Sequence, residues 1–208
     1  MIITAIKQQQ KNPERASIFV DGKYAFSLSL DELIRERLKN RQELSEADLK
    51  RLKKLSEEGK LRLRALNWLL LRPHSEREFR DYMYRKKADK DLTDSFVVDF
   101  TARHYINDSE FARWWYEQRA ASNHSNRYIR SELMKKGIGR DTIDELFAGL
   151  DDDPGESGEL ARLSAIINKK RTLPRYTADP QKFIQYLARQ GFGYDDIKRA
   201  LAESDETA

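Results

Sequence analysis

The 208-residue sequence contains no cysteine and only three histidines, five prolines and nine glycines. The lack of cysteine excludes disulfides, thiol nucleophiles and cysteine-ligated zinc. The longest apolar run, residues 68–71, is far shorter than the roughly 20 residues of a transmembrane helix. The N-terminus also lacks the long apolar core of a signal peptide. We therefore expect a soluble, cytoplasmic protein.

Sequence motifs for nucleotide or metal chemistry are missing as well. There is no P-loop and no H-E-x-x-H pair, and Gly137 and Gly191 follow helical patterns instead of the strand that a dinucleotide turn needs. The carboxylates at 151–153 lack the spacing of a calcium loop, which leaves a metal-dependent nuclease as the weakest functional hypothesis. We predict no enzyme activity, no cofactor and no metal, and ordinary surface or capping roles for His74, His104 and His124.

Charged residues make up 36% of the chain and apolar residues 39%. This balance is typical of an elongated protein with a thin core. The formal net charge of +4 indicates a mild preference for polyanionic partners. Charge alone does not separate this possibility from an ordinary soluble basic protein.

The N-terminal segment alternates apolar and polar residues on both sides of Asp21-Gly22. An Asp-Gly pair in this setting predicts a β-hairpin, and residues 2–6 are a candidate third strand. Ser29 and Glu32 then form a capping-box pattern that predicts the start of a helix. Helical spacing continues from there to Pro73, which is expected to end the helix before it.

Three later stretches share one pattern, beginning at Ser75, Ser125 and Asp179. Each has a capping residue, an apolar residue four positions later and another four after that, as expected for a capped helix with one buried stripe. The second and third stretches end at Gly137 and Gly191, which suit a left-handed helix end. Apolar helical segments precede and follow each stretch, so each unit reads as three short helices.

The sequence therefore predicts a mainly α-helical fold, in which tandem three-helix repeats form an elongated curved array behind a small N-terminal β-hairpin or three-strand piece. A single irregular helical domain with chance similarities is the alternative. The expected segments are a hairpin region at 1–28, connecting helices at 29–60, repeat 1 at 61–108, repeat 2 at 109–150, an acidic linker at 151–158 and repeat 3 at 159–204.

Basic residues cluster around the middle helix of each repeat. If each repeat places basic residues on the same face, the array has a row of positive charge. Such a row would match phosphates or acidic patches spaced along a filament. An ordinary solvated helix face is the alternative, and it is strongest for repeat 1. Tyr128 and Tyr186 are candidates for stacking on bases, although packing is the commoner role. The candidate binding residues are Arg72, Arg77, Arg80, Arg127, Arg130, Lys135, Lys136, Arg140, Lys170, Arg171, Lys182 and Arg189.

Several of these stretches resemble the RecX family. Residues 72–79 (RPHSEREF) resemble its first-repeat signature, and residues 105–112 (YINDSEFA) are similar to the junction between its first and second repeats. Residues 129–138 resemble the second-repeat core, residues 183–192 the third, and the N-terminal hairpin an extension found in some members. Two positions depart from the family pattern: His104 and Lys87 stand where glycine is usual.

The resemblance implies a small cytoplasmic regulator that lodges in the groove of the RecA filament and has no catalytic residues. Such proteins usually inhibit RecA's ATP hydrolysis and strand exchange in homologous recombination and the SOS response, and some bind DNA. We accordingly expect RecA and its filament as partners, with weaker single- or double-stranded DNA binding, no membrane contact and a monomeric state. The alternative is a RecA-independent DNA-binding protein of helix-turn-helix type, with the helix from Ser125 to Gly137 in a groove.

Overall fold

A computed structural model describes residues 1–151 and 158–206, so most of the predicted acidic linker, residues 152–157, lies outside the described part. The carboxylates Asp152 and Asp153 of the nuclease hypothesis fall in this undescribed stretch. The chain divides into two compact units, Met1–Leu70 and Leu71–Ala208.

The first unit begins with a three-stranded antiparallel sheet in the order β1-β2-β3. Its strands are β1 (Ile3–Gln8), β2 (Arg15–Val20) and β3 (Lys23–Ser29). Asp21 and Gly22 connect β2 to β3 with φ angles of 48° and 80°. Two positive φ angles are the signature of a type I′ hairpin turn. The predicted hairpin is therefore present, and the candidate third strand is β1.

Two helices complete the first unit. Helix α1 (Leu30–Arg35) starts at the predicted capping box, in which Ser29 accepts from the Glu32 N–H and Glu32 accepts from the Ser29 N–H. Helix α2 (Glu46–Leu69) is a single helix of 24 residues. The first helix expected for repeat 1 is thus the C-terminal part of α2. The core of this unit joins sheet and helices through Ile3, Ile18, Phe26, Leu28 and Leu52.

The second unit is helical throughout its described part. Its helices are α3 (Glu76–Arg85), α4 (Lys90–Ala102), α5 (Asp108–Ala121), α6 (Asn126–Lys135), α7 (Arg140–Asp151), α8 (Glu159–Lys170), α9 (Pro174–Thr177), α10 (Pro180–Arg189) and α11 (Tyr194–Glu206). The predicted class, mainly α with a small N-terminal sheet, is confirmed. None of the described helices combines the length and apolar character needed to cross a membrane.

The middle helices α3, α6 and α10 have the predicted construction. Side chains of Ser75, Ser125 and Asp179 cap their first turns, and the two apolar residues expected on each inner stripe are buried. The residue after each C-cap is left-handed, with φ of 58° at Lys87, 87° at Gly137 and 93° at Gly191. Lys87 therefore adopts the conformation of the glycine that it replaces, and His104, with φ of 59°, does likewise after α4.

Candidate functional site

Successive middle helices meet end to end. The Ser75 hydroxyl, at the start of α3, donates to the carbonyl of Lys136 at the end of α6 over 2.9 Å. The Ser125 N–H, at the start of α6, donates to the carbonyl of Gln190 at the end of α10 over 3.2 Å. We call these contacts joint 1 and joint 2. At each joint the negative end of one helix dipole faces the positive end of the next, which is a favourable arrangement.

The two joints share a second contact. The N–H of Glu76, the first residue of α3, donates to the Asp108 carboxylate over 2.9 Å at joint 1. The N–H of Asn126, the first residue of α6, donates to Glu159 over 3.1 Å at joint 2. Both acids are the first residue of the helix that opens the following repeat, so they satisfy a free N–H at a helix start. Repeats 1 and 2 therefore pack on their successors in the same way.

Both joints are too tight for a side chain at the left-handed glycine. A Cβ atom on Gly137 would lie 2.8 Å from Cβ of Arg77, and one on Gly191 would lie 2.9 Å from Cβ of Tyr128. Real Cβ contacts are longer than this, so only glycine allows the close approach. The stem of Arg77 thereby lies against Gly137, two residues after α6 ends at Lys135.

Half of the predicted binding residues are exposed and form no ion pair within the described part of the chain. Five of them lie in the first or last turn of a middle helix: Arg77, Arg127 and Lys182 in first turns, and Lys135 and Arg189 in last turns. Arg77 and Arg127 are at equivalent positions, because each is the second residue of its helix. Arg189 ends α10 as Lys135 ends α6. The exposed set consists of Arg77, Arg127, Lys135, Arg140, Lys182 and Arg189.

Two other predicted residues form ion pairs that link the middle and third helices of a repeat. Arg80 of α3 pairs with Asp94 of α4, and Arg130 of α6 pairs with Asp144 of α7 at the equivalent position. The Arg130 guanidinium also lies 4.1 Å from the centre of the Phe147 ring. An arginine and an aspartate fourteen residues apart recur in two successive repeats, so this pairing could have been predicted from the sequence.

Arg72 and Lys136 are held by Glu78 at joint 1. The Glu78 carboxylate lies 2.9 Å from Arg72, 3.0 Å from Nδ1 of His74 and 2.6 Å from Nζ of Lys136. Burial would raise the pKa of Glu78, but hydrogen bonds from His74, Lys136 and Arg72 lower this pKa to about 2. His74 is buried with 3% of its surface exposed, so of the two roles expected for it, surface or capping, the surface role is wrong.

The remaining predicted cations and the candidate stacking tyrosines also make internal contacts. Lys170 lies 4.7 Å from the centre of the Tyr186 ring, and Arg171 donates to Ser204. Tyr128 stacks on His124 with ring centres 4.4 Å apart. These contacts agree with packing roles for both tyrosines. Intramolecular partners compete with a ligand, so we place the candidate surface on the exposed set.

An exposed aromatic residue beside this set was not predicted. Tyr84 of α3 is 83% exposed, and Met134, at the equivalent position of α6, is 49% exposed. Each lies seven residues after an exposed arginine, Tyr84 after Arg77 and Met134 after Arg127. Seven residues fall only about 20° short of two full helical turns, so the two side chains of each pair lie on the same side of the helix. We call Arg77, Tyr84, Arg85, Arg127, Met134 and Lys135 the outer face.

Comparisons with known proteins agree with this architecture. The model of the regulatory protein RecX N-terminal domain matches residues 1–45, and that of the RecX second three-helix domain matches residues 107–146. The regulatory protein RecX of Bacillus velezensis is 32% identical over 204 residues, covering 98% of this chain and 77% of that protein. That of Listeria monocytogenes is 31% identical over 205 residues, covering 98% and 76%.

Solved structures show the same fold. A crystal structure of regulatory protein RecX has a TM-score of 0.72 at 23% identity and covers 95% of this chain and 98% of that chain. RecX from Lactobacillus salivarius has a TM-score of 0.58 at 21% identity, covering 71% and 96%.

The fold and its surface define a class of protein built from three-helix repeats. The middle helices of these repeats meet end to end and carry cations that form no ion pair with the residues the structure describes. Relatives that are more than 30% identical over nearly the whole chain identify the member of that class. The chain belongs to the RecX family of regulatory proteins. The N-terminal match also identifies the sheet and α1 as a part of the family's architecture.

Proposed function

We propose that this protein regulates the RecA recombinase by binding the RecA–single-stranded DNA filament through the outer face, and that it inhibits ATP hydrolysis and strand exchange. The observation that carries the proposal is a set of cations that recurs at equivalent positions of middle helices that meet end to end. These cations form no ion pair within the described ranges of the chain. A partner that itself repeats can engage several such positions at once, and linked weak contacts reinforce one another. Membership of the RecX family supports the same target.

In this proposal the protein is a cytoplasmic monomer that acts by binding alone. Electrostatic attraction between its cations and an acidic filament would speed the encounter. Contacts from successive repeats would then hold the filament in one state. A ligand shifts a conformational equilibrium only as far as it prefers one state, so inhibition implies tighter binding to the filament state that is inactive in ATP hydrolysis.

The helix-turn-helix alternative is disfavoured by joint 2. A recognition helix presents its N-terminal residues to base edges in the major groove. The start of α6 is instead occupied by the end of α10, and Ser125 is fully buried. Entry of this end of α6 into a groove would require repeat 3 to separate from repeat 2.

The direct test is a titration of the protein into RecA hydrolysing ATP on single-stranded DNA, with a parallel binding curve on the same DNA without RecA. We expect hydrolysis to fall at protein concentrations well below those that saturate bare DNA. Equal affinity for bare DNA, with no additional effect of RecA, would contradict the proposal and favour a plain DNA-binding protein.

A charge-matched pair of variants assigns the effect to a surface. The first variant replaces the four cations of the outer face, Arg77, Arg85, Arg127 and Lys135, by alanine. The control variant removes four exposed cations from the first helices and from α2, namely Lys50, Lys53, Arg113 and Lys169. Both lose the same net charge, and surface substitutions of this kind usually change stability by less than about 0.5 kcal/mol each. We expect only the first variant to lose inhibition.

A further inference from the structure

We infer that the outer face docks on protein rather than on DNA, with Tyr84 and Met134 as apolar anchors that enter recesses rimmed by carboxylates. The inference rests on the proposed function for the identity of the assembly, and it names which component of the filament this face contacts.

The geometry of the outer face combines apolar and basic groups on one side of each helix. Tyr84 lies two turns after Arg77 and is followed by Arg85, while Met134 lies two turns after Arg127 and is followed by Lys135. Residues at this spacing share one side of a helix. Each apolar side chain is therefore flanked by a cation on its N-terminal side and by another next to it in the chain.

The residue types favour a protein partner. Tyrosine, methionine and arginine are enriched in the cores of protein interfaces, and buried tyrosine and arginine dominate their binding energy. A surface that stacks successive bases needs aromatic rings at successive positions. The equivalent positions here hold Tyr84, Met134 and Ala188, so only the first repeat offers a ring. A methionine thioether has neither a ring nor a strong hydrogen-bonding group for a base.

Charge complementarity identifies the chemistry of the partner surface. Four cations of the outer face form no ion pair with other described residues, and they surround the two apolar anchors. Two acidic residues lie between Arg77 and Tyr84: Glu78, which is paired at joint 1, and Asp81, which is exposed. The positions equivalent to Asp81 are Ser131 and Gln185. The face is therefore strongly positive around its apolar centre. A matching surface carries carboxylates around apolar recesses, as is typical of complementary protein interfaces.

The anchors lie in the first two repeats. In α10 the positions equivalent to Arg77, Tyr84 and Arg85 are Gln181, Ala188 and Arg189. One cation therefore remains in repeat 3, but the large apolar side chain is missing. We therefore expect repeats 1 and 2 to supply the specific contacts and repeat 3 to contribute mainly charge.

The experiment measures the affinity of Tyr84→Ala, Met134→Ala and the double variant for RecA filaments and for bare single-stranded DNA. Matched controls are Val98→Ala on α4 and Leu160→Ala on α8, whose side chains are 70% and 50% exposed outside this face. We expect Tyr84→Ala to weaken filament binding at least about tenfold, Met134→Ala somewhat less, and both to change DNA affinity less than about twofold. Both controls should match the parent, and Tyr84→Leu should keep most of the affinity.

Salt provides a second readout. The deficit of Tyr84→Ala should stay nearly constant as salt rises, because apolar contacts are not screened, whereas the deficit of Arg77→Ala should shrink. If the parent inhibits RecA and the anchor variants bind like the parent, the inference is overturned while the proposed function stands. An equal loss of affinity for filament and bare DNA also overturns it, because the face would then contact DNA. A parent that neither binds filaments nor slows hydrolysis overturns both.

Discussion

The left-handed residues that follow the middle helices have the same backbone conformation in different surroundings. Lys87 is exposed, whereas Gly137 lies against Arg77 at joint 1. Left-handed backbone costs roughly 1–2 kcal/mol for a residue other than glycine. We predict that Lys87→Gly stabilises the protein by about 1 kcal/mol and that Gly137→Ala destabilises it by about 2–3 kcal/mol, since the latter adds strain and contact with Arg77. Urea denaturation measures both changes, and a loss of stability in both variants would contradict the assignment.

The Glu78 carboxylate makes stability depend on acid pH. Its pKa in the folded protein is about 2, below the ordinary value of 4.5. A lowered pKa stabilises the folded state above the unfolded value, and this contribution is lost as pH falls from about 4.5 towards 2. We predict that Glu78→Gln costs on the order of 2 kcal/mol of unfolding free energy at pH 7, and that its stability approaches that of the parent only as pH nears 2. A deficit that does not depend on pH would show that packing, not charge, is lost.

The helices are tied together by residues that differ from those proposed to bind the filament. Arg130 joins α6 to α7 through Asp144 and the Phe147 ring, whereas Arg127 has no ion pair in the described part of the molecule. Exposed ion pairs contribute about 0.2–1 kcal/mol. We predict that Arg130→Ala lowers stability by about 1 kcal/mol with little effect on filament affinity. We predict that Arg127→Ala weakens filament binding with little effect on stability. Denaturation and filament binding of the two variants, measured side by side, check the separation.

Local patterns predicted most of the elements, but not how they meet. The capping box at Ser29, the turn at Asp21-Gly22 and the left-handed end at Gly137 depend on neighbouring residues, so they can be read from the sequence. The joint between Ser75 and Lys136 joins positions that are distant in the chain. The expected boundary between residues 60 and 61 falls inside the continuous helix α2. Within this helix, Gly59 lets Glu32 approach α2, since an added Cβ atom would lie 2.6 Å from the Glu32 carboxylate.

For the candidate surface, the sequence showed that cations cluster around the middle helices but not which of them were already paired. Pairing depends on contacts between repeats, such as that of Lys136 with Glu78, and composition carries no record of them. Tyr84 was missed because an exposed aromatic residue and a buried one look alike in a short helical pattern. Its position two turns after an arginine, repeated as Met134 after Arg127, was the available signal.

At the scale of the whole molecule, the net charge of +4 averages over acids and bases that neutralise each other in pairs, such as Arg80 with Asp94 and Arg130 with Asp144. A partner instead meets the cations on the middle helices that have no ion pair among the described residues. Unpaired surface charges act mainly on the association rate. We predict that alanine at Arg77, Arg85, Arg127 and Lys135 slows association with RecA filaments about tenfold at low ionic strength and changes dissociation less. The difference in association rate between this variant and the parent should become smaller as added salt shortens the screening length. Stopped-flow binding over a salt series measures this difference. The control variant at Lys50, Lys53, Arg113 and Lys169 has the same net charge, so equal slowing in both would mean that total charge attracts the partner and that the outer face has no special part in the encounter.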